Sequence, residues 1–187
     1  MSDDAAGRQD LGRAEGESAK VLYYIVCGAP AAFDAESFVR LAQRAGWRVF
    51  VIASPMGTRF IDAERLAMLT GAPVRSEFRM PGESNGLPAA DAVVVAPATL
   101  NTINKWAMGI GDTFAVSLLC ELMGFGVPIV AVPLLKEALT SHPAFAVNLE
   151  TLRRAGVRVL FDPAAPPLAR MPGWEEILTE LSSIVDG

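Results

Sequence analysis

Residues 92–102 (AVVVAPATLNT) decide the fold. Residues 92–96 form a continuous apolar run, as expected for a strand that is buried on both faces. Residues 97–102 follow at once and carry the polar side chains of Thr99, Asn101 and Thr102, which open a predicted helix. A buried strand that passes directly into a helix is the repeating unit of a parallel sheet.

The same pattern recurs on both sides of this stretch. Further strands are predicted at 21–27, 48–53, 127–132 and 157–161, with a short one at 74–77. Helices are predicted at 31–45, 58–69, 101–123, 143–155 and 174–185, and a surface loop at 79–88. Right-handed crossovers between parallel strands place helices on both sides of a sheet. We therefore predict an α/β fold: a Rossmann-like three-layer sandwich with a mostly parallel sheet and helices on both faces.

Composition narrows the class of protein. The chain has 187 residues and is 51% hydrophobic, which suits a single domain with a sizeable core, expected at 20–187. Residues 1–19 are polar and acidic, which predicts a disordered tail and not a signal peptide. No apolar run reaches membrane-spanning length, so we expect a cytoplasmic protein. The net charge of -5, without a basic cluster, argues against nucleic-acid binding.

The two cysteines, Cys27 and Cys120, lie in apolar runs and are interpreted as small buried hydrophobic residues. No zinc-ligand spacing is present, and we predict no metal site. Two glycines, Gly109 and Gly111, fall inside the helix predicted at 101–123. Each costs a helix roughly 1 kcal/mol relative to alanine, which indicates close packing against a ligand, a neighbouring subunit or another helix.

Ligands of open α/β sheets bind at the carboxyl ends of the strands, so the residues after each strand are candidates for binding. Gly28 opens a turn where backbone amides and a helix N-terminus favour an anion, although it is neither a GxGxxG fingerprint nor a P-loop. Ser54 either donates to a phosphate or caps a helix. Phe60 either stacks on a planar ring or packs in the core. Asn101 either bonds a flavin or substrate carboxylate, or caps its helix, a role for which Thr99 is the alternative.

Four segments in order resemble the homo-oligomeric flavin-containing cysteine decarboxylases. This family includes phosphopantothenoylcysteine decarboxylase and the peptidyl-cysteine decarboxylases of lanthipeptide pathways. The matching residues are 94–102 with 109–112, then Gly28, Ala31 and Ala32, then 58–61 (TRFI), and finally His142-Pro143, Asn148-Leu149, Leu152 and Gly156-Val157. The resemblance spans about residues 21–161 and makes 20–187 a single FMN-binding flavoprotein domain.

The resemblance implies FMN bound at the carboxyl edge of the sheet, between the subunits of a trimer or of a dodecamer built from trimers. In that family the flavin takes two electrons from a cysteine side chain, and the substrate carboxylate then leaves as carbon dioxide. Phosphate contacts would come from Gly28, Ala29 and Ser54, and Phe60 would lie near the isoalloxazine. The flavin and substrate would be lined by Pro97, Ala98, Thr99, Asn101 and Thr102.

Two parts of the family's chemistry differ here. The family's histidine lies about eight residues before an Ala-Asp pair, here Ala90-Asp91, and this places it near Glu83 or Ser84. The chain's single histidine, His142, matches a His-Pro pair of the family, and the resemblance implies a structural and not a catalytic role for it. Glu83 is the replacement base we consider, although an exposed carboxylate with a pKa near 4.3 is a poor base at neutral pH.

The family's substrate clamp, Pro-x-Met-Asn-x-x-Met-Trp, is also altered. The chain has Pro133, Leu135, Lys136 and Leu139 at the corresponding positions. The amide that would pair with a substrate carboxylate is thus a cation. Lys136 either binds a carboxylate or phosphate as a point charge, or is a solvated loop residue.

These observations leave three hypotheses. The first is an FMN-dependent decarboxylase or oxidoreductase for a cysteine-containing peptide or small thiol acid, with Asn101, Glu83 and Lys136 as candidate catalytic residues. The second is an FMN-binding protein without decarboxylase activity, acting as a regulatory or structural subunit. The third is a flavin prenyltransferase-like enzyme, for which the sequence offers no basic triad. The sequence favours an enzyme, with a small molecule or peptide as substrate and further copies of itself as partners.

Overall fold

The computed structural model describes residues 19–80, 82, 86–165 and 171–187. Within these residues the strands form one five-stranded sheet of order β2-β1-β3-β4-β5, and every neighbouring pair is parallel. The strands are β1 (Val21–Val26), β2 (Arg48–Ala53), β3 (Ala92–Ala98), β4 (Ile129–Pro133) and β5 (Arg158–Val159). The predicted parallel α/β sheet is confirmed.

Helices cover both faces of the sheet. They are α1 (Ala35–Arg44), α2 (Ala63–Thr70), α3 (Leu100–Ala107), α4 (Phe114–Gly124), α5 (Glu137–Thr140), α6 (Pro143–Arg154) and α7 (Trp174–Val185). One core joins Tyr23 and Ile25 of β1 to α3, α4 and α6, and the other joins Leu22 and Tyr24 to α1, α2 and α7. Because side chains alternate along a strand, β1 contributes to both cores, and its six residues are all buried.

The helix predicted over 101–123 is two helices, and this prediction was wrong. Gly109, with φ +69°, ends α3: its N–H donates to the Trp106 carbonyl, and the Ile110 N–H donates to the Lys105 carbonyl. This is the Schellman arrangement, for which glycine is favoured because it adopts a left-handed backbone without strain. Gly109 and Gly111 therefore lie in the connection between α3 and α4, not inside a helix.

Other element boundaries also moved. The helix predicted at 58–69 begins only at Ala63, because the Asp62 side chain accepts from the Arg65 N–H and caps α2. The strand predicted at 74–77 is a single bridge between Arg75 and Ile52. Two short 3-10 helices, Pro30–Asp34 and Gly57–Arg59, follow β1 and β2.

Part of the predicted organisation falls where the structure gives no description. All but the last residue of the tail predicted at 1–19, and positions 81 and 83–85 of the loop predicted at 79–88, lie outside the described residues. No helix in the described ranges is long and apolar enough to cross a membrane.

Candidate functional site

The strand order places a crevice between β1 and β3. The chain leaves β1 towards β2 on one side, while β3 lies on the other, so the connections after these two strands diverge. Such a topological switch point is where open α/β sheets bind ligands. A cleft of about 1070 Å³ lies here, lined by residues 28–31 after β1, 99–101 and 104–105 after β3, 134–136 and 138–139 after β4, and Met171.

The wall after β1 consists of small residues. Gly28 and Ala29 lead into the 3-10 helix Pro30–Asp34, and with Ala31 they keep the backbone accessible from the cleft. A Cβ built on Gly28 would lie 2.6 Å from Met56 Cγ, so this glycine also leaves room for a side chain of the loop after β2. The structure thus places two of the three predicted phosphate residues, Gly28 and Ala29, in the cleft wall, and the third, Ser54, outside it.

The wall after β3 is polar and belongs to the first two turns of α3. Thr99 is the N-cap residue and Asn101 is exposed in the first turn, so Asn101 does not cap the helix. Asn104 is held in place because its Oδ1 accepts from Asn148 Nδ2 at 2.9 Å. Lys105 Nζ lies 2.5 Å from Asp112 Oδ2. Sequence reasoning missed Asn104 and Lys105, although their spacing of three and four from Asn101 puts all three side chains on one helix face.

Behind this wall lies a buried polar pair. Thr102 is 2% exposed, and its Oγ1 lies 3.2 Å from Cys27 Sγ and 3.2 Å from Thr99 Oγ1. Burial raises the pKa of the Cys27 thiol above its ordinary value, so the thiol keeps its proton at neutral pH. Pro97 and Ala98, at the end of β3, are also buried and do not line the cleft.

The wall after β4 is apolar with one cation. Leu134, Leu135 and Leu139 face the cleft, and Lys136 lies among them as the exposed residue that precedes α5. Lys136 forms no ion pair among the described residues. An unpaired ammonium beside an apolar surface is suited to a ligand that carries an anionic group on an apolar body.

The charged side chains in the described lining of the cleft are all basic. Lys105 and Lys136 line the cleft, whereas the described lining contains no Asp, Glu, His, Cys or Tyr. The cleft therefore attracts anions, but within the described residues it presents no side chain that would accept a proton near neutral pH.

Two predicted cofactor residues lie away from this lining. Ser54 is buried and its Oγ accepts from the Gly57 N–H at 3.0 Å, while the half-buried Phe60 ring packs against Phe33 with ring centroids 5.2 Å apart. His142 is the N-cap of α6, and its Nδ1 accepts from the Ala144 N–H at 3.2 Å. Glu83, the predicted replacement base, lies outside the described residues.

Comparison with known sequences gives one family. A family profile described as Flavoprotein matches residues 13–186. The coenzyme A biosynthesis bifunctional protein CoaBC of Thermococcus kodakarensis is 30% identical over 164 residues, covering 82% of this chain and 40% of that protein. CoaBC of Mycobacterium bovis is 34% identical over 166 residues, covering 82% and 38%. The chain spans about two fifths of the length of these curated relatives.

Solved structures share the fold. The FMN-dependent cysteine decarboxylase TvaF from thioviridamide biosynthesis gives a TM-score of 0.73 at 22% identity, covering 91% of this chain and 100% of that one. A PPC decarboxylase mutant complexed with pantothenoylaminoethenethiol gives 0.75 at 16%, with the same coverage. The FMN binding protein AtHal3 gives 0.74 at 16%, covering 89% and 96%. At these identities the likeness shows the fold.

Proposed function

The chain belongs to the flavoprotein family, and we propose that it binds FMN in the cleft between β1 and β3 and decarboxylates a cysteine-containing substrate oxidatively. The substrate class is a peptide that ends in cysteine or a related thiol acid. The observation that carries the proposal is the cleft itself, at the switch point of the sheet, with an apolar wall after β4, a polar wall after β3 and two lysines, of which Lys105 pairs with Asp112.

The residues present fit FMN. A cleft of about 1070 Å³ lies at the upper end of the usual range for ligand pockets, which gives room for a flavin and part of a substrate. Three leucines offer an apolar surface for a planar ring, and the small residues after β1 leave backbone accessible to a phosphate. The absence of a carboxylate from the described lining removes the main source of repulsion against a phosphate dianion.

The predicted cofactor residues divide into two groups under this proposal. Gly28, Ala29, Thr99 and Asn101 line the cleft and would contact FMN directly. The other group stands behind or beside this wall and would support it. These residues are Ser54, Phe60, Pro97, Ala98 and Thr102.

At the substrate end, Lys136 and Asn101 would hold the substrate carboxylate, one by charge and the other by its amide. FMN, when bound, supplies the chemistry of accepting two electrons from the cysteine side chain. Leu134, Leu135 and Leu139 would exclude water from the reacting groups, which strengthens the interaction of Lys136 with an anion.

The first experiment is an absorbance spectrum of the purified protein, with mass analysis of the released cofactor. Unmodified FMN is the expected result. Incubation of the FMN-loaded protein with a cysteine-terminated peptide, and separately with phosphopantothenoylcysteine, should release carbon dioxide and lower the substrate mass accordingly. A colourless protein that takes up no added FMN would overturn the proposal.

Variants assign the two polar groups. Lys136→Ala should raise KM at least about tenfold, because a charge-assisted hydrogen bond contributes roughly 1.5–3 kcal/mol. Asn101→Ala should lower kcat/KM by a similar factor. Lys20→Ala is the matched control, since it removes an equal charge from an exposed pair with Asp186 and should leave turnover unchanged. A wild-type KM in Lys136→Ala would show that Lys136 does not bind the substrate.

A second candidate function is an FMN-binding protein without decarboxylase activity. The observation that favours it is the described lining, which holds no side chain able to accept a proton near neutral pH. Glu83 distinguishes the two candidates: if it is the base, Glu83→Gln abolishes carbon dioxide release and leaves FMN binding intact. A wild-type protein that binds FMN and turns over neither substrate would favour the second candidate.

We also propose that the chain assembles as a homo-oligomer, a trimer or a dodecamer, with the flavin site between subunits. Exposed apolar side chains support this: Met108 (67% exposed), Ile110 (42%) and Phe125 (73%) flank α4. Native mass spectrometry should show a multiple of three chains. A monomer that retains FMN tightly would contradict this assembly.

A further inference from the structure

A row of polar side chains crosses the carboxyl edge of the sheet. Cys27 Sγ after β1 lies 3.2 Å from Thr102 Oγ1, which lies 3.2 Å from Thr99 Oγ1, both after β3. Ser54 after β2 lies near enough to Cys27 to lower the pKa of its thiol, although burial has the larger, opposite effect. Ser54, Cys27 and Thr102 are at least nine-tenths buried, with exposures of 8%, 0% and 2%. Thr99 is half-buried and is the member of the row that lines the cleft.

The row has a fixed direction at its far end. The Gly57 N–H donates to Ser54 Oγ at 3.0 Å, and a backbone N–H has no lone pair with which to accept. Ser54 is therefore an acceptor in this bond, and its own proton is available for the nearby Cys27 sulfur, whose pKa it lowers. A buried row of hydroxyls anchored at one end by an N–H is most strongly bonded when each group accepts from one neighbour and donates to the next.

Cys27 and Thr102 carry this direction onwards. Burial raises the pKa of the Cys27 thiol, so the S–H proton is retained and is available for Thr102 Oγ1 at 3.2 Å. The Thr102 hydroxyl then has its proton available for Thr99 Oγ1, also at 3.2 Å. Both contacts lie in the dry interior, where water does not compete for either partner.

The last link concerns Thr99. A threonine at an N-cap usually accepts from a backbone N–H of the first helical turn, but the Thr99 side chain makes no capping hydrogen bond. Its oxygen instead meets the Thr102 hydroxyl. With that lone pair engaged from behind, the Thr99 proton is free to point into the cleft.

We propose that Ser54, Cys27 and Thr102 are positioning residues that orient the Thr99 hydroxyl as a hydrogen-bond donor to the ligand of the cleft. The group recognised is an acceptor oxygen, either of a phosphate or of a ring carbonyl. The proposal rests on FMN being that ligand. It gives the buried cysteine at the end of β1 a role in binding without any change in its own covalent state.

Binding measurements test the relay, by which we mean the positioning of the Thr99 hydroxyl by Thr102 and the residues behind it. FMN Kd is measured by fluorescence titration for the wild type, Thr99→Val, Thr102→Val and the double variant. Each single variant should weaken binding roughly threefold to tenfold, the range of one hydrogen bond. Because Thr102 acts through Thr99, the double variant should bind no more weakly than Thr99→Val alone. Additive losses, or a Thr102→Val protein with wild-type Kd, would overturn the relay.

Conservative variants separate positioning from packing. Thr102→Ser keeps the hydroxyl and should restore Kd to within about twofold of wild type, a result that a packing role would not give. Cys120→Ala is the control for loss of a thiol, since Cys120 Sγ contacts only the Trp106 carbonyl, at 4.0 Å, in the described hydrogen bonds. Riboflavin in place of FMN locates the acceptor: the Thr99→Val loss disappears with riboflavin if the acceptor is the phosphate and persists if it is the ring.

A measurement without FMN tests the relay independently of the proposed function. The S–H stretching band of Cys27, recorded by Raman spectroscopy in the Cys120→Ala background, should lie at the low frequency of a donating thiol. It should move to higher frequency in Thr102→Val, and Thr102→Ser should return it. An S–H band that does not respond to Thr102 would overturn the relay. If the wild type binds no FMN but the S–H band still shifts between wild type and Thr102→Val, the assignment of FMN as the ligand would be overturned and the relay would be supported.

Discussion

The loops after β1 and β2 start from similar sequences and end in different roles. Each follows a buried strand, contains a glycine and a proline, and enters a short 3-10 helix, at Pro30–Asp34 and at Gly57–Arg59. Residues 28–31 of the first loop form a wall of the cleft. The second loop folds back onto the first, so that Gly57 lies against Val26 and Met56 lies against Gly28.

The position of each strand in the sheet explains the difference. β1 is flanked by β2 and β3, so its carboxyl end lies at the switch point, whereas β2 is the outermost strand and has only an isolated bridge from Ile52 to Arg75 on its other side. The loop after β2 packs against the end of β1 and the loop that follows it. Strand order, and not loop composition, decides which loop lines the cleft.

The largest expected effect is on the loop after β2. A Cβ at Gly57 would lie 2.3 Å from the Val26 carbonyl oxygen, and a backbone atom of a central strand cannot move aside easily. Gly57→Ala should therefore lower the free energy of unfolding by about 2–4 kcal/mol, measured by urea denaturation. Gly124→Ala, where nothing lies within 4 Å, is the control and should be neutral or slightly stabilising. Equal effects of the two substitutions would contradict the close packing of this loop.

Ser54→Ala should have the next largest effect. It leaves the buried Gly57 N–H without its acceptor, which costs about 1–2 kcal/mol of unfolding free energy. Ser37→Ala removes a hydroxyl that bonds Asp34 on the exposed surface and should cost less than about 0.5 kcal/mol. If chemical denaturation gave both variants the same stability, the role of Ser54 in holding the second loop would be lost.

The dependence of stability on alkaline pH tests the environment of Cys27, which lies between the two loops. The raised pKa of its buried thiol means that the unfolded chain loses this proton first, starting near the ordinary pKa of 9.0. The contribution is present in full below that pH and falls as the pH rises, by up to about 1.4 kcal/mol per pH unit.

The expected result is a decline in unfolding free energy between pH 8.5 and pH 10, by about 1 kcal/mol, that Cys27→Ser reduces. Cys120→Ala should reduce it less, because the Cys120 thiol is only partly buried. Parallel pH profiles of unfolding for wild type and Cys27→Ser would show that the thiol makes no such contribution.

Gly28→Ala should have the smallest effect on stability. The added Cβ would lie 2.6 Å from Met56 Cγ, which can rotate away because this side chain is 53% exposed. It would also lie 3.0 Å from Met56 Cβ and 3.1 Å from the Met56 backbone carbon, which need to shift by only a few tenths of an ångström, so the expected cost is about 1 kcal/mol. FMN affinity should fall more than stability does, because residue 28 lies in the cleft wall. FMN titration measures the affinity and thermal unfolding measures the stability. If Gly28→Ala lowered stability without lowering FMN affinity, the loop after β1 would have no more part in binding than the loop after β2.

Much of the fold was predictable because its strands are unusually uniform. All seven residues of β3 and all six of β1 are buried, and only a sheet covered on both faces buries strands in this way. The helix break at 108–113 was not predicted, although Gly109 and Gly111 lie in it, because helical patterns flank it on both sides and the hydrogen bonds that end α3 depend on the backbone of Gly109. Helical periodicity reports which face is apolar and does not report where a helix stops.

The candidate site was predicted in part. Gly28, Ala29, Thr99, Asn101 and Lys136 were singled out from the sequence and all line one cleft, although whether they contact a ligand stays a prediction. Their common signal is position directly after a buried strand. Asn104 and Lys105 were missed because only the residues directly after each strand were considered, although their spacing from Asn101 places them on the same face of α3.

The sequence by itself determined the layers of this protein: apolar runs too uniform for one-sided burial require helices on both faces, and polar residues at the strand ends mark the edge where a ligand is expected. Only the tertiary structure decided which strand ends meet. The order β2-β1-β3-β4-β5 brings residues 28, 99 and 136 to one cleft, and it brings Cys27 into contact with Thr102, with Ser54 close to Cys27. The physical reason is that burial depends on each strand's own side chains, whereas adjacency depends on long-range pairing, as between Leu22 and Ala92, which no local pattern encodes.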